Sequence, residues 1–361
     1  MIHWFQPYFW GNEREYVMDA LESTWISDGK YISLFEKKFS EELHSPHAIT
    51  VANGTVALQL ALLSLGIGPN DEVIVPGFTF SAPANMTLAI GATAVYADIE
   101  PRTWCLSPES FAARITKRTR AVIPVHIYGG VCDMDAIDRI ARDHGIAVVE
   151  DVAEAAFSKY RGQYAGTFGA FGCFSFQATK TLTTGEGGAV LVRDDALADR
   201  ARLLRNHGMR PEKRYWHDEP GYNFRLTNLQ AALGYAQLER LTDIVREKKR
   251  VYARYQKNLG AVEGLSLQHV PAEVDPVMWA IAAKIDPKVF GDRDALRTKL
   301  AEAEIETRPG FFSFSLMPYY KATDLPVSED VSRNVISLPS YAQLADDKID
   351  AICERLISLR R

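Results

Sequence analysis

Residues 173–194 read CFSFQATKTLTTGEGGAVLVRD. An apolar run opens the stretch and gives way to polar residues that include Thr179 and Lys180. A tight Gly185-Glu186-Gly187-Gly188 turn follows, then a second apolar run. Both runs have the length and composition of buried strands, which puts Lys180 in a polar turn between them. A lone lysine is ordinarily a solvated surface group. A lysine withdrawn from water has a lowered pKa, and its amine then suits Schiff-base chemistry. Ser175 and Thr179 add hydroxyl donors suited to phosphate.

Upstream of this stretch the pattern alternates. β-rich runs at 48–52, 71–76, 93–99, 120–128 and 146–151 are separated by helical stretches such as 55–65 and 134–145. Strands buried on both faces read as continuous Val/Ile runs, and their alternation with helices predicts a mostly parallel sheet in an α/β fold. Ahead of them, Ile32, Phe35, Phe39 and Leu43 recur at helical spacing and predict an amphipathic helix over 31–43. Beyond about residue 195 the sheet signal fades. Residues 227–259 read as helix, and strand candidates at 266–270 and 278–285 precede helices at 292–303 and 346–359. This divides the chain into a large domain, 1–240, and a smaller C-terminal α/β domain, 241–361, with the boundary between 235 and 260.

The chain has 361 residues, 47% hydrophobic and 24% charged, with 41 basic against 46 acidic side chains and a net charge of −5. That balance, without any Lys/Arg run, argues against a nucleic-acid binder. The uncharged stretches 47–70 and 73–97 are interrupted by Asn, Gly and Pro, so they read as buried structure rather than membrane spans. The first residues lack the basic flank and apolar core of a signal peptide. Four cysteines without C-x-x-C spacing suggest neither a zinc site nor a disulfide framework. A cytoplasmic enzyme is the simplest expectation, with no metal.

In open α/β sheets, ligands bind at the carboxyl ends of the strands. Besides Lys180, three such ends carry unusual residues. Ala52-Asn53-Gly54-Thr55 runs into a helix whose N-terminal amides suit a phosphate, although an ordinary Asn-Gly turn with a capping Thr reads the same way. Phe78, Thr79 and Phe80 follow Pro76-Gly77, where a ring either stacks on a planar cofactor or packs in the core. Glu150 and Asp151 end a buried strand, where a carboxylate must be paired, capped or solvated. Such a carboxylate can hold a protonated pyridine nitrogen and keep an electron sink charged.

Taken together, ANGTVALQLAL, VPGFTFSAPAN, EDVAEA, CFSFQATKTLTTGEGGA and GYNFRLTNLQAALGYAQLERL resemble the DegT/DnrJ/EryC1/StrS family of pyridoxal-phosphate sugar aminotransferases. The resemblance implies the aspartate-aminotransferase fold (fold type I), with pyridoxal 5'-phosphate as cofactor and its pyridoxamine form in the aminated half-reaction. It makes Lys180 the lysine that carries the cofactor and shuttles the proton. Asp151 becomes the partner of the pyridine nitrogen, Phe80 the stacking ring, and Gly54, Thr55 and Ser175 the phosphate ligands. Asn223 would reach the phosphate in a neighbouring subunit, which implies a homodimer with shared sites. Glu154 and Glu186 stand as further candidates beside the cofactor. Trp25, His217, Arg225, Arg308 and Phe312 are candidates for the substrate; His126 is expected to orient a loop.

Within the family, GMRPEKRYWHDEPGYNFRLTNLQAALG, VHIYGGVCDMD and PVMWAI look closest to members that aminate C4 of GDP-4-keto-6-deoxymannose, with L-glutamate as donor. Those members commonly carry two histidines where this chain has Phe312 and Ser315, and FGNK where it has QATK. Another nucleotide keto sugar, 3-keto or dTDP/UDP-linked, or a cyclitol ketone therefore stays open, as does a non-catalytic protein of the same fold. The family's 3-dehydratases have histidine at the lysine position, and Lys180 argues against that chemistry. A deoxyamino sugar for surface polysaccharide such as O-antigen lipopolysaccharide, or for a glycosylated metabolite, fits the resemblance.

Overall fold

The computed structural model describes residues 1–9, 11–210 and 212–361. Its strands, in chain order, are β1 (His47–Val51), β2 (Glu72–Pro76), β3 (Thr93–Ala97), β4 (Thr119–Val122), β5 (Ala147–Asp151), β6 (Lys159–Tyr160) and β7 (Gln163–Tyr164). Then come β8 (Phe171–Ser175), β9 (Gly188–Val192), β10 (Leu265–Leu267), β11 (Val274–Asp275), β12 (Ile281–Ile285), β13 (Arg308–Pro309) and β14 (Val335–Leu338). Seven of them form one sheet in the order β1-β9-β8-β5-β4-β2-β3. From β8 to β3 every pairing is parallel; β9 alone runs against its two neighbours. A four-stranded antiparallel sheet, β10-β12-β14-β13, lies downstream, and β11-β6-β7 make a small third sheet.

Of the parallel strands, β2 and β8 are buried completely and β5 nearly so, as a sheet covered on both faces requires; at the sheet edge β3 is buried only at Ala97. One cover is the Lys30–Glu42 helix, which buries Tyr31, Phe35 and Phe39. Phe39 meets Phe174 edge-on at 5.1 Å, and Phe35 meets Phe176 at 5.2 Å. These rings clamp the end of β8, from which the Lys180 turn departs. No helix among the described residues is long and apolar enough to cross a membrane.

Three expectations need correction. The run at 120–128 is a strand only as far as Val122, because Pro124 has no N–H to donate to a ladder. His126 therefore sits in a loop, tethered by its own N–H to the Asp151 carbonyl at 3.0 Å. The helical stretch 227–259 is two helices, Asn228–Glu239 and Leu241–Leu259, parted at Arg240 with φ −106° and ψ 13°. The Arg240 N–H closes there on Gln237 O, three residues back, which tightens the turn. The run at 278–285 becomes strand only at Ile281, because Trp279 N–H bonds the Tyr128 carbonyl in the first part of the chain at 2.9 Å.

Candidate active site

A cavity of about 1100 Å³ opens where the carboxyl ends of β2, β5 and β8 meet the Gly54–Ser64 helix and the segment 308–312. Asn53 caps that helix through its side chain, which accepts the Val56 N–H at 2.9 Å. The helix and the β8 terminus approach closely: a Cβ on Gly54 would fall 2.7 Å from Ser175 Cβ. Gly54, Thr55 and Ser175 thus share one wall, with the first-turn amides at the positive end of the helix.

Lys180 lies across from them. Its own N–H bonds Gln177 O at 2.8 Å, and its side chain is only 14% exposed. Nζ stands 3.9 Å from Glu154 Oε1 and 3.9 Å from the centroid of the Trp279 ring. Burial lowers the Lys180 pKa, while the charges of Glu154 and Asp151 oppose that shift. Glu154 is itself pushed up to about 7 by burial, against the Lys180 charge and the Tyr128 N–H that its Oε2 accepts at 2.8 Å. Asp151 is raised by burial too, and the Ala153 N–H on its Oδ1, at 3.0 Å, opposes this. The arrangement is an amine whose pKa burial lowers, set close to two buried carboxylates at the floor of an open cavity.

Glu150, next to Asp151, points the other way. It is wholly buried and accepts the N–H groups of Gly166, Phe168 and Gly169 at 2.7–2.8 Å and the His126 ring at 3.0 Å. His126 Nδ1 accepts the Cys132 N–H, so the network puts its proton on Nε2, donated to Glu150. This pair braces the 166–169 loop that leads into β8 and does not line the cavity.

Of the residues singled out in the sequence, Gly54, Thr55, Phe80, Asp151, Glu154, Ser175, Thr179, Lys180, Glu186, Arg308 and Phe312 line the cavity. Phe80 is 57% exposed into it and leans on Phe311 at 6.1 Å. Trp25, His217, Asn223 and Arg225 do not line it. Trp25 is an exposed ring, His217 Nδ1 bonds the His207 carbonyl at 2.8 Å, and Asn223 Oδ1 accepts from Arg225 Nε at 3.0 Å. Sequence reasoning passed over Tyr128, Trp279 and Phe311. Tyr128 lies parallel to both other rings, 5.7 Å from Phe311 and 6.4 Å from Trp279, and the three form one wall. Tyr128 in VHIYGG and Trp279 in PVMWAI were visible in quoted motifs, but nothing local told a cavity wall from core packing.

A model of the DegT/DnrJ/EryC1/StrS aminotransferase family matches residues 9–357. The GDP-perosamine synthase of Escherichia coli O157:H7 is 42% identical over 355 residues, covering 98% of this chain and 96% of the relative. The crystal structure of the aminotransferase TlmJ from Streptoalloteichus hindustanus superposes with a TM-score of 0.94 at 31% identity, covering 99% and 98% of the two chains. The protein Spr1654 of Streptococcus pneumoniae, solved in its PLP form, gives 0.93 at 27% identity over 99% of this chain and 98% of that one.

Proposed function

The chain belongs to the DegT/DnrJ/EryC1/StrS aminotransferase family, and from that premise we propose that it carries the amino group of L-glutamate to C4 of GDP-4-keto-6-deoxy-D-mannose, giving GDP-perosamine. It is a pyridoxal-phosphate-dependent sugar aminotransferase with the α/β architecture of that family. One observation carries the reaction class: a buried amine, Lys180, flanked by Glu154 and Asp151 at the floor of the cavity. The sugar is argued from the 42% likeness to a GDP-perosamine synthase.

The residues present fit the cofactor. The Gly54–Ser175 approach leaves a wall of amides and hydroxyls for a phosphate, and Asp151 offers a buried carboxylate on the cavity floor. When bound, pyridoxal phosphate supplies the electron sink for the carbon that loses its proton. Gly54, Thr55 and Ser175 would hold the phosphate, Asp151 the ring nitrogen, and the exposed face of Phe80 would cover the ring. The Lys180 Nζ, its pKa lowered by burial, would attach the cofactor and later take a proton from one carbon and return it to the next. Glu154, pushed up to about 7, can hold a proton at Oε1 or release it beside Nζ near neutral pH. Asn223 and its neighbours Trp25, His217 and Arg225 would serve the cavity of a second copy in a homodimer, since they lie off the cavity of their own chain.

The visible spectrum of the cofactor-loaded protein tests this reading. A yellow band that L-glutamate bleaches and GDP-4-keto-6-deoxymannose restores is the expected result. Bleaching that only a dTDP- or UDP-linked sugar, or a 3-keto sugar, reverses would replace the substrate; Phe312 and Ser315 are then the residues to examine. Absence of any band after loading would turn the reading toward a non-catalytic protein.

A further inference from the structure

Lys248, on the Leu241–Leu259 helix, is a buried amine that the chemistry above does not use. Among the described residues no carboxylate pairs with it: Nζ donates to the Trp279 carbonyl at 2.8 Å and to the Ser340 carbonyl and hydroxyl at 3.2 and 3.3 Å. All three donors of its ammonium are thus committed to two residues. A void of about 30 Å³ lined by both Lys248 and Lys180 lies between them. Trp279 is the residue whose indole covers Lys180 Nζ at 3.9 Å, and its Nε1 donates to Thr179 O, next to Lys180, at 2.7 Å. Its N–H is fixed at the other end on the Tyr128 carbonyl. Lys248 therefore closes the anchorage of the one aromatic face that, among the described residues, stands over the reactive amine.

We propose that Lys248 is a positioning residue for Lys180, acting through Trp279: it holds the indole over Nζ and so sets the protonation of the amine. The proposal rests on the reading of Lys180 as the amine that takes the cofactor. An indole face favours the charged form of a nearby nitrogen. Letting it swing away lowers the pH at which Lys180 loses its proton.

The test uses the full chain freed of cofactor and measures its capture of pyridoxal phosphate as a function of pH. The neutral amine is the species that reacts: its nitrogen bonds to the aldehyde carbon and the aldehyde oxygen leaves as water. The midpoint of the rate profile therefore reports Lys180. In Lys248→Met the midpoint falls by about half a pH unit or more; Trp279→Leu lowers it likewise, and the double variant lies no lower than Trp279→Leu. An unmoved or raised midpoint in Lys248→Met, or an equal further fall in the Trp279→Leu background, overturns the proposal. If circular dichroism shows that Lys248→Met does not fold, Lys248→Gln, too short to reach the same carbonyl, takes its place under the same two criteria. Lys180→Ala separates the two readings. Capture that persists there removes Lys180 as the amine, whereas Lys180-dependent capture with an unmoved midpoint removes only the role of Lys248.

Discussion

At Lys180 the low-dielectric surroundings and the neighbouring carboxylates pull in opposite directions. Burial disfavours the ammonium, and Glu154 at 3.9 Å favours it. Replacing Glu154 by Gln keeps the shape and removes the charge. Glu154→Gln should therefore lower the Lys180 midpoint in the pyridoxal-phosphate capture profile, by about one pH unit for an attraction of this range; a rise would contradict the assignment. Lys248 obeys a simpler rule, because burial alone depresses it from 10.5 to about 7. Below pH 7 the folded chain bears the full cost of a buried ammonium. Between pH 7 and 10.5 the unfolded chain binds more protons than the folded one, so stability rises with pH. Urea unfolding at pH 7 and pH 10 should show Lys248→Met losing ground to the wild type by up to ~4 kcal/mol over that interval.

At the level of elements, the alternation of Val/Ile runs with helices foretold the parallel strands, though not where β4 ends, since burial on both faces leaves a composition no helix surface shares. The 31–43 expectation was close to the Lys30–Glu42 helix because Phe35 and Phe39 repeat on one face. What composition could not carry was pairing between distant segments. β6, β7 and β11 are two residues each, and β13 exists only because Arg308-Pro309 lies beside β14. The same limit hid part of the site: Trp279 acquires its role from Thr179, Tyr128 and Lys248, which lie 100, 151 and 31 positions away by residue number. The carboxyl end of β5 illustrates the point in one dipeptide. Glu150 and Asp151 look alike in sequence, yet β5 turns Asp151 to the cavity and Glu150 into three amides and a histidine. Glu150→Gln puts an amide N–H₂ among donors, so it should destabilise the fold by roughly 3 kcal/mol in urea unfolding. Retained cofactor capture at low denaturant would show that the loss is structural.

For the whole molecule, the homodimer reading makes a distinctive demand. If Asn223 of one subunit completes the cavity of the other, Lys180→Ala and Asn223→Ala chains are each inactive alone but complement when unfolded and refolded together. Random pairing would restore about a quarter of wild-type activity, one intact site in each mixed dimer; no recovery would mean that Asn223 acts within its own chain, and an Asn223→Ala chain active by itself would mean that it does not act at all. The order of the large sheet has a consequence of another kind, in time. β1 ends at Val51, and its one partner in the sheet, β9, ends at Val192. During synthesis at the ordinary pace of a ribosome, about 10–30 s separate the two. Throughout that interval β1 lacks its partner, and over its last 17 residues, from Ser175 to Val192, the edge of β8 that will receive β9 is bare and the Lys180 turn has no second strand to close it. The nascent chain therefore meets its greatest hazard of mispairing just before its reactive lysine is enclosed, and a synonymous slow codon between residues 175 and 188 would lengthen that hazard more than one placed after 192.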